Sequence, residues 1–215
     1  MGIGIITVTS LAFGNFMNEI KRLNLPQPLH WLHQPQNWDL SRDSQLTITA
    51  GAKTDWFIDP QGTVNISNAP ALLFHTSGPC ILSTQVTADH VATYDAGVLM
   101  IYENPSMWAK LCLELSPQGI PTVVSVVTKG VSDDCNAFPI NGPVYFRVAR
   151  LEQAYAFHVS QDRNRWDLIR YFKLENNQNA QLGFLAQSPI GDGCTAFFRD
   201  IHFEERLLAD IRSGE

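Results

Sequence analysis

Residues 94–128, YDAGVLMIYENPSMWAKLCLELSPQGIPTVVSVVT, read as three consecutive antiparallel strands. Ala96 to Tyr102 is apolar at every position, so both faces of this strand are expected to be covered. Glu103-Asn104-Pro105-Ser106 supplies a turn, with Pro fixing φ and Asn tolerating a left-handed backbone. The next run alternates: Leu111, Leu113 and Leu115 point one way, and Lys110, Cys112 and Glu114 the other. Pro117-Gln118-Gly119 turns the chain again, and Ile120 to Thr128 returns as a β-branched strand. One face of this meander is hydrocarbon. The other carries a lysine and a glutamate on a central strand, where charge is costly unless it is paired.

The rest of the chain continues the pattern. Leu29 to Leu32, Leu46 to Thr49, Thr54 to Phe57, Ala71 to Phe74 and Cys80 to Thr87 read as strands before the meander. Asp59-Pro60-Gln61-Gly62 is a turn. Pro143 to Arg150, Ala154 to Ser160, Trp166 to Lys173, Ala180 to Gln187 and Thr195 to Phe203 follow it, with Gln161 to Arg165 as a hairpin tip. Lys129 to Asn141 is expected to be a long loop, and Glu204 to Asp210 a short terminal helix. Short strands at even spacing with almost no helix predict an all-β protein, a jelly-roll sandwich of two antiparallel sheets. Leu99, Ile101, Leu111, Leu113, Val124, Phe146, Val148, Phe157 and Phe184 are the expected core.

Length and composition fit one domain. At 215 residues and 45% hydrophobic, the chain can bury a sizeable core. A net charge of -6 with 15 basic residues argues against a nucleic-acid partner. Residues 1–16 are apolar and uncharged, too short to span a bilayer and without the basic start of a signal peptide. They read as a dispensable extension ahead of Met17, with a single domain over 17–215. An ordered first strand, or a signal or anchor, is the alternative. No membrane partner is expected. Cys80, Cys112, Cys135 and Cys194 form no CxxC pair, which points to free thiols in a reducing, cytoplasmic setting rather than a disulfide framework.

Several segments taken together resemble one family: Trp31, Thr54-Asp55-Trp56-Phe57, Tyr94-Asp95-Ala96-Gly97, Trp108-Ala109-Lys110 with Glu114, Ser125-Val126-Val127-Thr128, Ser132-Asp133, Arg147, the Ser160 to Trp166 hairpin and Gln187-Ser188-Pro189. The order and spacing are similar to the DUF1349 family, the concanavalin A-like proteins also labelled regulator-of-enolase type, over roughly Leu25 to Phe203. The resemblance implies a jelly roll whose concave face, in lectins and glucanases, holds saccharide. It implies no established reaction. The family usually carries an extra residue between the Asp and the Ala-Gly near Asp95, and this chain lacks it.

Lys110 and Glu114 lie four residues apart on one strand face, about 13 Å along the chain, so each must find partners on other strands. Arg147 and His158 each sit between core-facing residues, and the same parity points them away from the core. The expectation is that Lys110, Glu114, Arg147 and His158 converge on one concave pocket, either as a structural network or as a ligand site. Trp31 or Trp56 beside turns would edge it, with Asp55, Asp95 and Gln187 contributing. A glycosidase needs two carboxyl groups at set separations, but Cys112 and Ser116 flank Glu114 on its face, so the Glu-x-Asp-x-Glu arrangement of laminarinase-like glucanases is absent. No HExxH, GxSxG or phosphate loop occurs, so no metal, cofactor or catalytic residue is assigned. Two function classes remain. One is a module binding a saccharide or other small polar ligand, and the other is a domain with a protein partner and a regulatory role.

Overall fold

The computed structural model describes residues 20–175 and 180–215. The reading of residues 1–16 lies outside them. After a single 3-10 turn at Lys21–Leu23 come β1 (Leu29–Trp31), β2 (Asn37–Leu40), β3 (Leu46–Gly51), β4 (Trp56–Ile58) and β5 (Asn65–Ser67). Then follow β6 (Ala71–His75), β7 (Cys80–Ala88), β8 (Ala96–Asn104), β9 (Met107–Leu115), β10 (Pro121–Lys129) and β11 (Val131–Pro139). The chain ends with β12 (Val144–Arg150), β13 (Tyr155–Ser160), β14 (Asp167–Phe172), β15 (Gln181–Gln187) and β16 (Gly193–Glu204).

Two seven-stranded antiparallel sheets face each other, in a concanavalin A-like jelly roll. The first has the order β1-β6-β15-β8-β9-β10-β11, and the second β14-β13-β12-β7-β16-β3-β2. Alternation sets the faces. In β3, Leu46, Ile48 and Ala50 are buried while Thr47 and Thr49 are half-buried. Leu99, Ile101, Leu111, Leu113 and Phe184 from the first sheet meet Phe146, Val148 and Phe157 from the second in one inter-sheet core. Each such side chain contributes about 1.5–3 kcal/mol by leaving water. Packing between strands is close at Gly183, where a Cβ would stand 1.9 Å from the Leu72 carbonyl oxygen.

Ala96 to Tyr102 is buried throughout because β8 is covered twice. The second sheet covers its inner face. The hairpin β4–β5 lies over the outer face, where Trp56 packs on Tyr102 and Trp108 with ring centroids 5.6 and 5.8 Å away. Val98, Met100, Cys112, Val124 and Leu185 belong to this second apolar cluster. Val124 is therefore buried, but on the outer face, because it pairs with Cys112 and not with a core leucine.

Two expectations for local structure fail. Residues 131–139 form the edge strand β11, paired along β10 through a tight turn at Gly130, where φ is +77°. Its polar side chains reflect a solvated edge, and β10 supplies the hydrogen-bonding template. Residues 204–210 contain no helix. Leu208 instead buries against Ile81, Ala149 and Ala156 on the outer face of the second sheet, and that contact overrides a weak local helix preference.

Candidate functional site

The site lies on the outer face of the first sheet and grows from Lys110. Register places Lys110 beside Val126 of β10 and Met100 of β8, and Glu114 beside Thr122 and Ala96. Lys110 is 2% exposed. Its Nζ donates to Asp55 Oδ1 at 3.1 Å and to Gln187 Oε1 at 2.9 Å. An ammonium has three donors, so one remains. Gln187 Nε2 in turn donates to the Tyr94 carbonyl at 3.2 Å, which fixes its amide at both ends. Around this chain of contacts opens a pocket of ≈ 250 Å³, lined by Asp55, Phe57, Tyr94, Lys110, Glu114, Val126, Asp134 and Gln187.

Loops hold the walls in place. Asp55 and Phe57 sit at the start of the β4–β5 hairpin, which is tied to the end of β15 by paired backbone hydrogen bonds between Thr54 and Ser188 at 3.1 Å. Ser188 Oγ donates to Asp95 Oδ1 at 2.7 Å, while Asp95 Oδ2 accepts from the Val91 and Ala92 amides at 3.1 and 2.8 Å. Tyr94 adopts φ +72°, uncommon for a residue with a Cβ. Its amide donates to the Leu115 carbonyl at 2.8 Å, and the residue stays 40% exposed beside the pocket.

Burial and neighbouring charge shift Lys110, Glu114 and Asp134. Burial acts to lower the Lys110 pKa, but Asp55 and the other nearby groups outweigh it and leave Lys110 above its usual value. Burial pushes the Glu114 carboxyl up to about 8 against the pull of Lys110, and Asp134 and Asp55 add to the rise. Glu114 is thus largely protonated at neutral pH and can donate as well as accept. Asp134 is an exposed residue on an edge strand, yet desolvation at the pocket still raises its carboxyl. The pocket therefore offers donors at Lys110 and Glu114, acceptors at Asp55 and Asp134, and two aromatic rings. Among the described residues, no group of three or more His, Cys, Asp or Glu could hold a metal ion.

Of the residues expected from sequence, Lys110, Glu114, Asp55 and Gln187 line this pocket. Arg147 and His158 do not. They pair with each other across β12 and β13 in the second sheet, so parity turns them outward on the opposite side of the sandwich. There Arg147 stacks on Trp166 at 3.7 Å and its Nη1 donates to the Gly214 carbonyl. His158 Nε2 donates to the Ile211 carbonyl at 2.7 Å, so both residues hold the C-terminal segment. Pointing away from the core is a shared property of two faces, and the expected four-residue convergence overlooked that.

Neither expected tryptophan edges the pocket. Trp56 is 2% exposed and donates Nε1–H to the Ala69 carbonyl at 2.9 Å, within the outer cluster. Trp31 stands opposite Leu72 of the inter-sheet core and packs against Trp38 at 6.3 Å. Asp95 is completely buried and spends its carboxylate on the loop, so it positions the walls without reaching the pocket. Tyr94, Phe57 and Asp134 are not among the pocket residues expected from sequence, where Asp134 reads only as a loop acid able to offer oxygens to calcium. Tyr94 and Phe57 lay within the family-like segments, but Asp134 reaches the pocket only because β11 is a strand, and no local signal showed that.

Fold and pocket together define an all-β sandwich protein with a polar pocket on an outer sheet face. The chain belongs to the DUF1349 family, described as "Protein of unknown function (DUF1349)", whose model matches residues 31–206. No curated protein matches the chain in sequence. Among solved structures, it is similar to a functionally unknown protein from Saccharomyces cerevisiae, with TM-score 0.77 and 22% identity, over 83% of this chain and 97% of that one. It is also similar to a GH43 protein from Bacillus licheniformis, with TM-score 0.67 and 12% identity, over 86% of this chain and 38% of that one. An alginate lyase from Klebsiella pneumoniae aligns with TM-score 0.54 and 12% identity, over 81% of this chain and 86% of that one. At these identities the likeness is one of fold. No helix among the described residues is long and apolar enough to cross a membrane.

Proposed function

We propose that the chain is a binding module for a small polyhydroxylated ligand, a saccharide, held in the pocket around Lys110. The observation that carries this reading is the pocket's make-up: a fixed Asp55–Lys110–Gln187 core with a spare ammonium donor, flanked by the Tyr94 and Phe57 rings. Sugars offer closely spaced hydroxyls and apolar C–H faces, and they are held by paired donors and acceptors beside aromatic surfaces. Fold-level likeness to a GH43 protein and an alginate lyase supports this only as analogy.

The test is a saccharide panel read by thermal shift and by calorimetry, since a ligand raises the melting temperature of the state it binds. At least one saccharide should stabilise the wild-type protein, and Lys110→Met should lose that shift while remaining folded. If no saccharide in the panel shifts the melt, the reading is wrong. Hydrolysis has a narrower basis in the protonated Glu114, and incubating the same panel and assaying for new reducing ends checks it. A second reading, a protein partner, draws on the exposed Val91 and Ile190, whose neighbours Ala92 and Gly191 approach each other. In that case Val91→Asp should abolish a complex without changing saccharide binding.

A further inference from the structure

The pocket holds more carboxyl groups than cations. Asp55, Glu114 and Asp134 line it, and among its lining residues Lys110 alone is cationic. Lys110 is already committed to Asp55 at 3.1 Å and to Gln187. Arg170, a further cation acting on Asp134, is held by Asp133 at 2.7 Å. Glu114 and Asp134 therefore face one space, and neither makes a salt bridge among the described residues. Two carboxylates in a partly desolvated site repel, and a proton on one of them relieves the repulsion. A ligand that brings its own positive charge relieves it too, and gains charge-assisted hydrogen bonds in the process.

We infer that the pocket selects a hydroxylated primary amine, an amino sugar with a free ammonium group, seated between Glu114 and Asp134. This rests on the saccharide-binding reading and narrows it. The hydroxyls face the spare donor of Lys110, and the ring faces of Tyr94 and Phe57 suit a cation as well as a sugar. The chain's net charge of -6 favours the approach of a cation. Proton balance follows from the groups that face Glu114: Lys110 and Cys112 on its own strand, Asp55 from the hairpin and Asp134 from β11. Lys110 remains charged and burial keeps the Cys112 thiol neutral, so Glu114 is the group that changes. It releases its proton to solvent as the ammonium takes the proton's place.

The experiment is isothermal titration of the wild-type chain at neutral pH with glucosamine, glucose and N-acetylglucosamine, in two buffers of different ionisation enthalpy. Glucosamine should bind at least about tenfold more tightly than either neutral sugar, with net proton release. Glu114→Gln, which keeps the side-chain shape, should remove that preference and the proton release. Asp134→Asn, a change at an exposed edge position, should weaken the preference without affecting folding. Equal binding of all three sugars overturns the amine inference and leaves the saccharide reading standing. So does a preference that survives in both variants. Failure of glucosamine to bind also overturns the amine inference, and the saccharide panel then decides the broader reading.

Discussion

Glu114 is the pocket residue at which burial changes the chemistry of a carboxyl group, pushing it up to about 8. An acid whose pKa rises on folding holds its proton more tightly in the native state. Its contribution to stability is therefore full below the unfolded value of 4.5 and is lost as pH climbs through about 8. Wild-type stability should fall by up to a few kcal/mol across that window, and Glu114→Gln should flatten this part of the profile. Urea unfolding at about pH 5 and about pH 9 checks it, because midpoints then compare directly at constant slope. Leu113, one residue away, presents the opposite face and is 2% exposed in the inter-sheet core. Leu113→Ala should cost about 2–5 kcal/mol and leave the pH profile unchanged. Neighbouring residues thus answer to different physics because successive side chains on a strand point to opposite faces.

Two elements show where local preference gives way. The stretch Glu204-Glu205-Arg206-Leu207-Leu208 has helix-forming composition, yet β16 continues to Glu204 and Leu208 then buries at 4% exposure on the second sheet. If this contact, and not local propensity, fixes the segment, Leu208→Ala should destabilise the fold by about 2–3 kcal/mol. A substitution that only raises helix propensity, such as Leu207→Ala at an exposed position, should change little. Thermal unfolding of both variants separates the two cases. The other element, β11, was legible only as polar chain. Ser132, Asp133 and Asp134 have low strand propensity, and their strand exists because β10 offers an unpaired edge and Gly130 permits the left-handed turn into it. Gly130→Ala leaves space for the methyl group but strains the backbone, so it should cost about 1–2 kcal/mol.

The whole molecule keeps two polar faces apart. The pocket lies outside the first sheet, while Arg147 and His158 hold the C-terminal segment outside the second, with the inter-sheet core between them. Distant sites without shared partners act additively. Arg147→Ala should therefore lower the melting temperature by releasing the Gly214 contact and the Trp166 stack, yet leave saccharide affinity unchanged. A parallel loss of affinity in calorimetry would show that the two faces are coupled. Far-UV circular dichroism should show strand with little helix, as expected of two seven-stranded sheets.

By itself the sequence determined the strands of the 94–128 meander, the class of fold and that Lys110, Glu114, Arg147 and His158 face away from the core. Those features rest on a two-residue period and on turn chemistry, both of which are local. It also made Lys110 and Glu114 conspicuous, because charge in the middle of a central strand needs a partner. Only the tertiary structure decided who the partners are. Parity says that a side chain leaves the core but not on which sheet, so Arg147 and His158 fell with Lys110 in the sequence and opposite to it in space. Asp134 joined the pocket through a pairing that its own residues do not encode. Asp95 and Trp56 were drawn into loop and core contacts by neighbours distant in the chain. Sites of this kind depend on long-range register, and register is a property of the assembled sheets.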